Sequence, residues 1–91
     1  MLHIVKSVSA IAELISVVTE QDEIILIENA VYAANPQHRD FQQIRPLNVY
    51  VLDNDLLARG LAERVSPTFS RVDYLGFVAL TAKHDSSLTW N

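Results

Sequence analysis

Short apolar runs alternate with amphipathic stretches along most of the chain. Leu2–Val5 reads as a first strand. From Ser7 or Ser9 to about Thr19, Val8, Ile11, Leu14, Ile15 and Val18 recur at three- and four-residue spacing, which predicts a helix capped by one of those serines. Asp22 leads into a strand over residues 23–27, whose apolar run Ile24–Ile27 is of the buried parallel type. Asn29 caps a short helix over 30–34, or that stretch forms a turn. Residues 35–46 are polar, with prolines near both ends, and read as a loop or a frayed helix. Residues 47–52 form the third strand, and 55–59 a helix with Gly60 at its C-terminal cap. A weaker strand follows at 68–72. Asp73 then caps a last helix, Tyr74–Lys83, and Ser87–Trp90 adds a final strand. This alternation predicts an α/β fold: one small domain spanning 1–91, with a mostly parallel sheet of about four or five strands and helices on both faces.

The segment 48–61 is the most informative. Val49, Tyr50, Val51 and Leu52 run through a polar break, Asp53-Asn54-Asp55, into a helix stopped by Gly60. In α/β sheets the carboxyl ends of strands are where function gathers. The acidic break resembles the phosphate-accepting position of a receiver domain. That chemistry wants an acidic pair after the first strand to hold magnesium. Here Lys6-Ser7-Val8-Ser9 follows, and no acid comes before Glu13. The simpler role is local: Asp53 or Asn54 caps the helix, and Asp55 favours its positive end.

Composition narrows the classes further. The 91 residues are 49% apolar and carry a net charge of −4, with seven basic residues spread singly. No basic stripe interleaved with aromatics offers itself to a phosphate backbone, so direct nucleic-acid binding is not expected. No apolar stretch is long enough to span a bilayer, and His3 and Lys6 interrupt any signal-like segment, so the expected compartment is the cytoplasm, with no membrane contact. The chain has no cysteine, hence no disulfide, thiolate metal site or thiol nucleophile. His3, His38 and His84 lack metal-site spacing. His3 is expected to pack or bond to backbone, His38 to be solvated, and His84 to meet free carbonyls at a helix end. Glycines at 60 and 76 alone cannot build a phosphate loop. No catalytic, cofactor or metal residue is therefore assigned. The residues singled out are candidates for partner contact: Tyr32, Phe41, Tyr74 and Trp90 near element ends, and Arg59, able to clamp an anion or carboxylate.

Several pieces, in order, resemble a known family. They are Met1-Leu2-His3, the run from Asp22 to Ala34, Val49-Tyr50-Val51-Leu52, Asp55-Leu56-Leu57-Ala58-Arg59-Gly60, Asp73-Tyr74, Phe77-Val78, Leu80-Thr81, His84 and Trp90. Together they resemble the DsrH-like proteins. The resemblance implies the DsrE/DsrF/DsrH fold and a subunit role in a sulfurtransferase relay that serves 2-thiolation of the tRNA wobble uridine. It implies TusC-like and TusD-like partner subunits, two copies of each of the three chains, and an indirect link to TusA-like and TusE-like sulfur carriers. It also adds His84 to the partner-contact candidates. Some family members carry a cysteine in the first helix, but residues 9–18 here contain none. Relay proteins hold sulfur as a cysteine persulfide. The expectation is thus a non-catalytic subunit with the reactive cysteine on another chain. The competing expectation is an independent, self-associating α/β module that binds a ligand.

Overall fold

Right-handed crossovers decide where each helix lies. The computed structural model describes all residues from Met1 to Asn91. Its strands are β1 (Leu2–Val5), β2 (Glu23–Leu26), β3 (Val49–Leu52), β4 (Ser70–Val72) and β5 (Ser87–Trp90). They form one sheet in the order β4-β3-β2-β1-β5, and every neighbouring pair is parallel. The steps β1 to β2 to β3 to β4 all move toward one edge. Their connections therefore lie on one face. They contain α1 (Ile11–Ile15), α2 (Phe41–Ile44), α3 (Asp53–Ala58) and 3₁₀ turns at Val8–Ala10 and Glu28–Ala34. The step from β4 back to β5 crosses the whole sheet in the opposite direction. Its helix, α4 (Tyr74–Lys83), must lie on the other face.

The strand period of two then sorts the residues. Val5, Ile24, Leu26, Val49 and Val51 point toward the three-helix face, where they join Ile11, Leu14, Phe41, Ile44, Leu56 and Phe69 in a core of 17 buried residues. Leu2 and Ile25 point the other way and meet Leu80 of α4, with Ile4, Ile27, Tyr50, Val72 and Phe77 only partly covered around them. One face is thickly packed and the other thinly.

β1, β5 and α4 have the expected bounds, and the Asp73 side chain accepts from the Gly76 amide at 2.9 Å as a cap should. Other elements differ. The first helix ends at Ile15 and begins as 3₁₀, because Ser16 turns its hydroxyl back to the Glu13 carbonyl and neither Ser7 nor Ser9 caps it. Residues 28–34 are 3₁₀, begin after extended Ile27 and have no side-chain cap, so Asn29 is not one. The polar stretch 35–46 contains α2. Asp53-Asn54-Asp55 is no break: it is the first turn of α3, which starts directly after β3. Gly60 does stop that helix, with φ at +67°.

Candidate functional site

Two polar networks hold the ends of this sheet. At the carboxyl end, Glu28 follows β2 in the left-handed region, with φ at +51°. Its amide donates to Asp55 Oδ2 at 2.6 Å. Arg59 lies one turn after Asp55 on α3, approaches Asp55 Oδ1 at 3.5 Å and donates from Nε to Asn29 Oδ1 at 3.0 Å. Asp55 thus anchors the turn after β2, and Arg59 anchors Asp55. Nearby, Arg71 of β4 donates from Nε to Asp53 Oδ1 at 2.9 Å and from its other guanidinium nitrogens to Asp53 and to the Ala62 carbonyl. A shallow cleft of about 550 Å³ opens there, lined by Asp53, Arg71, Val72, Asp73 and Gly76. Asp53, Asp55, Arg59 and Arg71 are each committed to internal partners, and no thiol, metal cluster or base–nucleophile pair stands among them.

The amino end is organised by two adjacent acids. Asp22 and Glu23 enter β2 on opposite faces, and each takes one histidine. His3, almost fully buried, lies 2.9 Å through Nε2 from Asp22 Oδ2. Its Nδ1 faces the Trp90 indole nitrogen at 3.1 Å. An indole N–H only donates, so His3 Nδ1 accepts and Nε2 carries the proton toward Asp22. The His3 hydrogen bond, aided by the Thr19 amide, holds the Asp22 carboxyl well below the usual carboxylate range despite its burial. On the other face Glu23 Oε1 receives His84 Nε2 at 2.7 Å and Lys83 Nζ at 3.0 Å, while Tyr50 donates to Oε2 at 2.9 Å. Burial alone would raise the Glu23 carboxyl, but those three donors outweigh it and bring it down to about 2. The same contact pushes the Tyr50 phenol and the Lys83 ammonium up. Glu23 is therefore the pin that fastens the end of α4 to β2 and β3.

The residues singled out from the sequence do not converge. Tyr32 and Tyr74 are exposed, as a partner contact requires. Phe41 is a correction: it is only 4% exposed and packs on Phe69 with ring centroids 5.4 Å apart, because α2 turns it inward. His84 is mostly covered and bonds to Glu23 rather than to helix carbonyls. His3 bonds to side chains rather than backbone. His38 is partly covered, and its Nδ1 accepts from the Asp40 amide at 3.1 Å. Trp90 is half-buried against the core and His3. Beside it a largely apolar cleft of about 480 Å³ is lined by Met1, Val17, Leu88 and Trp90, with His3 and Asp22 at its polar end. The sequence reading missed the Glu23 cluster. An Asp-Glu pair at a strand start and Lys-His at a helix end were the visible signals.

A model of the family described as "DsrH like protein" matches residues 6–87. The chain belongs to the DsrH-like family. This DsrH-like chain is 41% identical over 81 residues to a protein named TusB from Escherichia coli O81 (strain ED1a), covering 87% of this chain and 85% of that one. TusB from Escherichia fergusonii is equally similar, at 41% over 81 residues and the same coverage. Among solved structures, the protein of unknown function MTH1491 from Methanobacterium thermoautotrophicum superposes with a TM-score of 0.73 at 15% identity, over 97% of this chain and 95% of that chain. Tm0979 from Thermotoga maritima gives 0.65 at 24% identity, over 94% and 97%. These two speak for the fold alone. No helix is long and apolar enough to cross a membrane.

Proposed function

We propose that this DsrH-like chain is a non-catalytic subunit of a cytoplasmic sulfurtransferase complex that relays persulfide sulfur toward the 2-thio group of the tRNA wobble uridine. The observation that carries the reading is a conjunction. The chain is 41% identical to proteins named TusB, yet it has no sulfur-bearing nucleophile of its own. A persulfide needs a thiolate to form on. The reactive cysteine then belongs to a TusD-like neighbour, with a TusC-like chain completing a complex of two copies of each. TusA-like and TusE-like carriers deliver and remove the sulfur, and contact with tRNA is indirect, in keeping with the net charge of −4. The role of this chain is to hold a surface in place. The polar networks at both sheet ends serve rigidity, since their members satisfy one another.

Co-expression with TusC-like and TusD-like chains, followed by sizing with light scattering, tests this. One species containing all three chains is the expected result. Asp55→Asn in that complex should leave sulfur transfer largely intact, because Asp55 acts on the Glu28 amide and Arg59 inside this chain. Loss of transfer in an intact complex would give this subunit a chemical role. The apolar cleft beside Trp90 favours the second reading, a ligand-binding module. That reading predicts a discrete homo-oligomer that ignores the paralogues.

A further inference from the structure

An amphipathic helix buries one side and shows water a polar one, whereas a helix apolar all round is normally covered all round. α4 has the second composition in the first setting. From Tyr74 to Ala82 it contains no charged residue. Leu80 faces the sheet, yet Tyr74 is 58%, Leu75 79% and Val78 62% exposed on the outer side. Ala79 and Ala82 continue the exposed stripe at helical spacing from Leu75 and Val78. The sheet beneath is also under-covered. Five strands at about 4.8 Å spacing make a face roughly 20 Å across, and one helix covers about 10 Å of it. Ile4, Ile27, Tyr50 and Val72 are left half-buried on that face.

We propose that the outer face of α4 and the half-bare sheet beside it seat the α4 helix of a second copy of this chain, packed antiparallel about a two-fold axis. Charge favours this occupant. α4 begins at acidic Asp73 and ends at basic Lys83, with only neutral residues between. An antiparallel copy meets no like charge along the seam, because Asp73 is held by its cap to Gly76 and Lys83 by Glu23 at the two ends, although each copy carries −4. The isologous geometry places Leu75 toward the small Ala82 of its mate, and Val78 near the axis. Area sets the strength. The outer half of a helix about 15 Å long, with the sheet strip, offers roughly 400 Å², about half of the 800 Å² per partner of a standard interface. The dimer of the chain alone is therefore weak and reversible. In an assembly with two copies of each chain it supplies a two-fold contact.

The absence of cysteine makes the test clean, because any introduced thiol is unique. Val78→Cys is expected to give a disulfide-linked dimer in high yield under mild thiol-specific oxidation, and Leu57→Cys, exposed on α3, to give little. Sedimentation of the unmodified chain from micromolar to millimolar concentration should show a monomer–dimer equilibrium. Leu75→Glu with Val78→Glu should abolish it while the circular dichroism spectrum stays native. A chain monomeric throughout, a dimer that survives the two glutamates, or equal cross-linking at position 57 would each overturn the proposal. The relay reading stands or falls separately, on binding to the paralogues.

Discussion

Glu23 shows how much one side chain decides in this molecule. Three donors, one from β3 and two from the end of α4, meet on its carboxylate. Its folded pKa of about 2 lies below the ordinary 4.5, so the charged form is favoured by folding. The resulting stability is fully present above pH 4.5 and is lost as the pH falls toward about 2. The size is about 3 kcal/mol. Urea unfolding of Glu23→Gln across pH 2–7 should show a loss of that order at neutral pH, shrinking toward the acid end. A second residue-scale prediction concerns His3. Trp90→Phe removes its donor and leaves a buried ring nitrogen unpaired, at a cost of about 1–3 kcal/mol in chemical denaturation. In the unmodified protein, nitrogen-15 shifts should report a His3 ring protonated at Nε2 and bare at Nδ1.

At the scale of elements, α4 is where local sequence and tertiary contact agree most closely. Gly76 sits in its first turn, and an added Cβ would lie 2.8 Å from Val72 Cβ on β4. Gly76→Ala should therefore lower stability by about 1–3 kcal/mol through overpacking, readable as a fall in the thermal midpoint. The cap at Asp73 and the stretch Tyr74–Lys83 were legible in the sequence because the cap, the apolar run and the closing lysine all lie within the helix itself. The same holds for β1 and β5, whose bounds follow from local patterning. Residues 28–34 and 53–55 were not legible in the same way. Glu28 adopts its left-handed conformation with its amide held by Asp55, 27 residues away in sequence, and no local pattern carries such a pairing. Phe41 was misplaced for a related reason. The stretch 35–46 reads as a loop or a frayed helix, and only the packing against Phe69 shows that α2 forms there and which way it faces. The likeness to the family was readable from motif order, whereas the Glu23 and His3 clusters needed the fold to bring positions 3, 22, 23, 84 and 90 together.

For the whole molecule, the parallel order β4-β3-β2-β1-β5 forces three helices to one face and a single helix to the other. This asymmetry leaves the apolar outer side of α4 uncovered. In the proposed relay, labour is strictly divided. This subunit should be inside the complex, and sulfur should never reside on it. Native mass spectrometry of the co-expressed complex, taken after loading with a sulfur donor and followed by release of the individual chains, tests both halves at once. This chain should be present in the complex at its unmodified mass, with the added sulfur atom on a cysteine-bearing partner. A complex that lacks this chain, or a sulfur adduct carried by it, would rule out the proposed role.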